Sequence, residues 1–180
     1  MSREPANGAG DRPAVRPGER FADIDQWDHD RVQPPHIWAT LGYRRVSWEP
    51  GATEVAWDAT ESYCFQTAGG PVVQGGLVTA LLDAGMGGAC WSVLDRDQAF
   101  LTADLRVEFL RPSRIGTLRA TGQVVRRTRR VVFCAAELHD AAGTLLAASR
   151  CTQVVLPADG MAGRYTGGTD VEGPPMDARG

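Results

Sequence analysis

The 180-residue sequence lacks any apolar run near the roughly 18 residues that a membrane-spanning helix requires. Its first residues, MSREPANGAGDRPAVRPGERF, have no apolar core and include acidic side chains, which excludes a secretory signal in this stretch. A cytoplasmic location without membrane association is therefore expected. Basic residues do not dominate: 19 Lys and Arg stand against 22 Asp and Glu, for a net charge of −3. No basic block is longer than a hairpin and no helix-turn-helix pattern is visible, so a nucleic-acid partner is not expected. Cysteine is sparse, with Cys64, Cys90, Cys134 and Cys151 forming no CxxC, and His29, His36 and His139 do not cluster with them. That spacing argues against a structural zinc site and for reduced, partly buried thiols.

Apolar residues make up 43% of the chain, an ordinary fraction for a globular protein. Composition shifts at both ends. Residues 1–20 and 158–180 are rich in Gly, Pro, Arg and Ala without periodicity and are expected to be disordered tails. The folded domain is expected over residues 21–157.

Within it, residues 37–41 end a short helix, and residues 43–48 and 53–59 read as strands around Glu49-Pro50-Gly51. A glycine-bearing loop spans residues 66–74. Residues 75–94 have helical length, with Leu77, Val78, Leu81, Leu82, Met86, Ala89, Cys90 and Val93 occurring on nearly every face. A helix apolar all round is a buried one. Its Gly85, Gly87 and Gly88 each cost about 1 kcal/mol relative to Ala, which makes sense where something packs close to the backbone. Four alternating segments follow. Leu101, Ala103, Leu105, Val107 and Phe109 share a face in the first; Leu118, Ala120, Gly122 and Val124 in the second; Val132, Cys134, Ala136 and Leu138 in the third; residues 145–156 form the last. Turns at residues 126–130 and 140–143 join them, and Arg111-Pro112 ends the first. Strand, strand, helix and four antiparallel strands define an α+β fold with the helix enclosed by the sheet.

Two features of this helix invite a chemical explanation. Gly75 and Gly76 stand at its start, where backbone N–H groups lack internal acceptors and no Cβ shields them. Asp83 sits mid-helix among Leu81, Leu82, Ala84 and Met86, where an unpaired carboxylate is costly to bury. Taken alone, the glycines read first as a tight turn into a helix, and the plain alternative for Asp83 is a solvated or capped carboxylate. Gly76 and Asp83 are seven residues apart, about 10 Å along the axis, too far for one helix to bring both to a single carbon. The spacing suits a site between two antiparallel copies.

The segment Gln74-Gly-Gly-Leu-Val-Thr-Ala-Leu-Leu-Asp83 resembles the HGG…D signature of hotdog-fold acyl-CoA thioesterases of the phenylacetyl-CoA thioesterase (PaaI-like) type. The strand Asp104-Leu-Arg-Val-Glu-Phe-Leu-Arg-Pro112 is similar to that family's strand after the helix, and the turns near Gly116, residues 126–130 and residues 140–143 fall where its members turn. The resemblance covers residues 41–156. It implies a hotdog fold, one long buried helix wrapped by an antiparallel β-sheet of five to six strands, assembled as a homodimer or a dimer-of-dimers tetramer.

The resemblance further implies acyl-CoA hydrolysis, with coenzyme A as part of the substrate and no separate cofactor or metal. A backbone N–H at Gly75 or Gly76 would polarise the thioester carbonyl. Asp83 of the partner subunit would act as general base on water or as nucleophile. Thr102 matches a position where relatives carry a hydroxyl that places the water. Gln66 or Thr67 would supply the polar contact that relatives make before the glycines. Gln74 replaces the usual His, and Gly87 stands where some relatives have a hydroxyl. Arg111, with Arg114 beside it, and Arg126, Arg127, Arg129 and Arg130 are candidates for the phosphates of coenzyme A, with Trp91 along the acyl tail. Trp38 and Trp57 are expected in the core. The alternatives are a non-catalytic acyl-CoA-binding hotdog protein and a hotdog enoyl-CoA hydratase; a hydratase needs a His beside the acid, and none lies near Asp83 in sequence.

Overall fold

The computed structural model describes residues 36–95 and 97–158. The expected tails fall outside these residues, apart from Ala158, as does the stretch 21–35 assigned to the domain. Helix α1 (His36–Leu41) leads into β1 (Arg44–Glu49) and β2 (Ala52–Ala59), which are joined through Gly51 at positive φ. A 3-10 turn (Glu61–Tyr63) and two short strands, β3 (Cys64–Phe65) and β4 (Val72–Val73), precede the long helix α2 (Gly75–Trp91). Strands β5 (Gln98–Phe109), β6 (Gly116–Arg127), β7 (Val131–His139) and β8 (Leu145–Pro157) complete the chain.

Six strands form one antiparallel sheet in the order β1-β2-β6-β7-β8-β5, and α2 lies against its concave face, touching every strand. Strand β4 falls within residues 66–74, expected as loop, and pairs with β3 just ahead of that stretch. Among the described residues, no helix is long and apolar enough to cross a membrane.

Register shifts leave an extra residue at Val46 in β1, Ala103 in β5 and Val125 in β6. Each such bulge bends and twists its strand, which helps a sheet curl round a helix. The bulge at Ala103 corrects the expected face of β5. Leu101 does not share a side with Leu105, Val107 and Phe109; ahead of the bulge the parity reverses, Phe100 packs on the core, and Leu101 is exposed.

Helix α2 is also less uniformly buried than its composition suggests. Val78, Leu81, Leu82, Gly85, Met86, Ala89 and Cys90 form one buried stripe at 3.6-residue spacing over Val55, Trp57, Leu118, Ala120, Val132 and Leu138. The opposite face, with Ala80, Asp83, Ala84 and Gly87, is only half-buried in the single chain. The close backbone approach expected from the glycines is real, but its centre lies across the interface. A Cβ on Gly122 of β6 would fall onto the Gly85 carbonyl. Thr53 donates its hydroxyl to that carbonyl at 2.6 Å, fixing the helix on the sheet. The helix ends at Trp91, three residues before the expected end. Ser92 turns its hydroxyl back to the Ala89 carbonyl at 2.7 Å and accepts the Gly51 N–H at 2.8 Å.

Candidate active site

The start of α2 is held from several directions. Val73 N–H donates to the Ser113 carbonyl, Gln74 N–H to the Tyr63 carbonyl, and the Tyr43 hydroxyl to the Leu77 carbonyl. Gln74 is the N-cap. Its side-chain Oε1 accepts from Gly76 N at 2.5 Å and from Leu77 N at 3.3 Å. The two glycines therefore differ: the Gly76 N–H is already satisfied by Gln74, whereas the Gly75 N–H has no acceptor among the described residues. The ring of Phe109, itself exposed, lies 3.3 Å from where a Gly75 Cβ would stand, so this glycine lets the tip of an aromatic ring reach the helix start.

Two turns along, Asp83 projects from the half-buried face of α2. Its Oδ1 lies 3.1 Å from Thr102 Oγ1, and the same hydroxyl is 3.0 Å from Gln153 Oε1. Burial pushes the Asp83 carboxyl above its ordinary range, and the Thr102 hydrogen bond pulls the other way. Gln153 is fully buried on β8, opposite Thr102 in the β5–β8 ladder, with its Nε2 3.2 Å from Cys151 Sγ. Below it, Cys151 pairs across strands with Cys134, which in turn contacts Cys90. Contact with Cys134 and burial push the Cys151 thiol up, and the Cys134 thiol is pushed up to about 12, so both stay protonated at neutral pH. All three cysteines are free and buried; Cys64 is free and half-buried.

The structure thus brings together Asp83 and Thr102, and separately Gln74, Gly75 and Gly76. Gln66 and Thr67 lie in the β3–β4 connection. Gln66 Nε2 reaches Glu61 at 3.3 Å, and the Thr67 hydroxyl closes the turn onto the Gly70 carbonyl at 2.6 Å. Trp91 packs on Trp48, ring centroids 5.3 Å apart, at the far end of α2 from Gly75. Trp57 is fully buried and Trp38 packs on the core, as expected.

Within one chain the arginines do not form a single group. Arg111 donates to the Leu145 carbonyl at 2.8 Å and Arg114 to the Pro71 carbonyl at 3.0 Å, both near the helix start. Arg126, Arg127, Arg129 and Arg130 flank the β6–β7 turn near the other end of α2, a helix about 25 Å long. Arg127 is engaged there with the Val93 carbonyl, with Asp95 at 2.9 Å and with Gln98 at 3.2 Å. Arg126, Arg129 and Arg130 are exposed.

Two residues beside the candidate groups were not singled out from sequence. Phe109 reads from the sequence only as a strand residue. Gln153 had a usable signal: it takes the inward parity of Ser149, Cys151 and Val155, so a polar amide there needs a buried partner.

Residues 70–147 match the family model of the thioesterase superfamily. A putative thioesterase related to phenylacetic acid degradation, from Ralstonia eutropha JMP134, is 27% identical, with a TM-score of 0.65 over 73% of this chain and 98% of its own. The PaaI protein of the E. coli phenylacetic acid degradation operon is 22% identical, with a TM-score of 0.66 over 75% of this chain and 94% of its own. A thioesterase family protein from Silicibacter pomeroyi is 25% identical, with a TM-score of 0.64 over 76% of this chain and 98% of its own. No curated protein matches the chain. With a wrapped helix, a six-stranded antiparallel sheet and this match to the thioesterase superfamily model over residues 70–147, the chain has the hotdog fold and is similar to thioesterases of the PaaI-like type.

Proposed function

We propose that the protein hydrolyses acyl-CoA thioesters to the free acid and coenzyme A, with Asp83 as general base on water or as nucleophile. The observation that carries this reading is the half-buried Asp83 carboxyl held by the Thr102 hydroxyl at the edge strand β5. A carboxyl there is costly unless it works, and a neighbouring hydroxyl can orient both it and an attacking water. The thioester carbonyl is polarised by the Gly75 N–H, and by Gly76 once Gln74 gives up its cap.

The working site spans two copies of the chain. Asp83 is about 12 Å along the axis from Gly75, so the helix start serving it comes from a partner. Two features support a homodimer, alone or within a tetramer: β5 is a twelve-residue edge strand, and the small-residue face of α2 around Asp83 is only half covered. An aromatic or medium-chain acyl group would lie against Phe109 beside Gly75, rather than along Trp91, which is occupied by Trp48. Arg126, Arg129 and Arg130 are the side chains proposed to meet the phosphates. A cytoplasmic location is part of the same proposal.

The test is release of free thiol from a panel of aromatic, medium-chain and long-chain acyl-CoAs by the wild-type protein and Asp83→Asn. Turnover of at least one member is expected, with a loss of about 10²–10⁴-fold in the variant at unchanged fold and oligomeric state. Wild-type rates from Asp83→Asn would overturn the mechanism, and no hydrolysis of any member would overturn the enzymatic reading.

A further inference from the structure

Asp83, Thr102 and Gln153 form a row that is one hydrogen short. Thr102 Oγ1 lies 3.1 Å from Asp83 Oδ1 and 3.0 Å from Gln153 Oε1, yet a hydroxyl has one proton to give. With Asp83 ionised, both neighbours are acceptors, and one contact is left without hydrogen. Gln153 is completely buried, so no water relieves the mismatch from its side.

Two arrangements bond every group. In the first, the protonated Asp83 donates to Thr102, Thr102 donates to Gln153 Oε1, and Nε2 donates to Cys151 Sγ, matching the amide as it stands, 3.2 Å from that sulfur. In the second, Asp83 is a carboxylate that accepts from Thr102. The Gln153 amide is then turned over, with Nε2 donating to Thr102 Oγ1 and Oε1 accepting from the Cys151 thiol. The proton released by Asp83 leaves to solvent on its half-exposed side. Only a half-turn of the terminal amide separates the two.

We propose that Gln153 is a positioning residue for Asp83, its buried amide turning over with the carboxyl's protonation so that Thr102 is held as donor whenever Asp83 is the working carboxylate. This rests on Asp83 being the catalytic acid-base group proposed above. Among the described residues of α2, β5, β7 and β8, no other charged side chain takes the parity that faces this row. Asp83 is the one ionisable carboxyl on α2, and the charged residues of β5, β7 and β8 (Asp104, Arg106, Glu108, Glu137, Arg150) take the outward parity. The titratable groups facing the row are the thiols of Cys151, Cys134 and Cys90; the first two are held protonated at neutral pH, and Asp83 itself is among the causes that push Cys151 up.

The test uses full-length protein with 13C-labelled aspartate carboxyls, the Asp83 signal being assigned by its loss in Asp83→Asn. Its NMR titration is compared in wild type, Gln153→Met and Gln153→Glu, alongside thiol release from phenylacetyl-CoA and octanoyl-CoA. Gln153→Met removes the donor that polarises Thr102, and a charge-assisted bond loses more than a neutral one, so the Asp83 midpoint rises. kcat is expected to fall about tenfold with KM within about twofold, the loss of one hydrogen bond in the row. Thr102→Val combined with Gln153→Met should lose no more than Thr102→Val alone, because Gln153 acts through Thr102. An unmoved midpoint with wild-type kcat, or additive losses, overturns the proposal. If Gln153→Met does not fold, the near-isosteric Gln153→Glu decides: its second carboxyl raises the Asp83 midpoint through the shared hydroxyl, and an unmoved midpoint overturns the proposal. Failure of the catalytic reading is distinguishable, because it leaves Asp83→Asn active while the midpoint comparison still answers for Gln153.

Discussion

Thr102 reaches Asp83 because Ala103 is an extra residue in β5. The bulge reverses the strand's parity, so Thr102 turns inward with Phe100 while Leu105 and Val107 turn inward beyond it. Without the bulge, a strand keeping Leu105 and Val107 on the helix would send Thr102 outward. Hydrophobic packing and the polar contact are thus both satisfied by one irregular residue.

Replacing Thr102 with Val should therefore weaken catalysis and shift its pH dependence. A hydrogen bond to a charged group is worth about 1.5–3 kcal/mol, so kcat falls about 10–100-fold. The hydroxyl lowers the Asp83 pKa against the effect of burial, and its loss raises that pKa further. Since a base must be ionised, the acid limb of the kcat/KM profile moves to higher pH. A limb that stays or moves to lower pH would contradict the assignment.

Asp83 should also cost stability. Burial raises its pKa in the folded state above that of the unfolded chain. Its favourable contribution is present below the ordinary aspartate pKa of about 3.9, and is lost as pH rises through the folded value. Asp83→Asn carries no such penalty. Its Tm is expected to exceed that of the wild type at pH 8, with the gap closing in acid. Thermal unfolding across this range checks it, and a wild type more stable at pH 8 would contradict it.

Gln74→Ala removes the side chain that caps α2. Loss of an N-cap costs about 1 kcal/mol, equivalent to about 2–4 °C in Tm for a chain of this size. Gln74→Asn, which also carries an amide oxygen, should recover part of the loss. Calorimetry that found Gln74→Ala as stable as the wild type would show that the cap is not what secures the helix start.

The elements of this fold were legible because their periodicities are strong. The alternation of Leu118, Ala120 and Gly122, and of Val132, Cys134, Ala136 and Leu138, survives intact in β6 and β7. Asp83 stood out for the same reason, as a charge in an apolar helix. The inward turn of Thr102 could not be seen from alternation, because a bulge is set by its neighbour strand: Thr102 pairs with Gln153 and Asp104 with Thr152, leaving Ala103 between. Nor could composition show that Gln74 would occupy the Gly76 N–H, since that depends on the path into the helix. The arginines at residues 111–114 and 126–130 lie at opposite ends of the helix because the twelve-residue β6 runs between their two turns.

Gly122 and Gly85 face each other across the helix–sheet contact, yet they should respond oppositely to Ala. At Gly85 a Cβ would meet Ala120 at 3.5 Å, an ordinary contact, and the helix gains up to about 1 kcal/mol in propensity. At Gly122 the Cβ would run into the Gly85 carbonyl and the Met86 N, which are backbone and cannot rotate away. The helix must lift, at a cost of about 1–3 kcal/mol or more. Because Asp83 lies two residues from this contact, lifting α2 also parts its carboxyl from Thr102, so Gly122→Ala should lose kcat as well as Tm, while Gly85→Ala keeps both. Thermal unfolding and thiol-release kinetics on the two variants separate these outcomes. A Gly122→Ala protein with wild-type Tm would mean that the sheet, and not the helix, yields at this crossing.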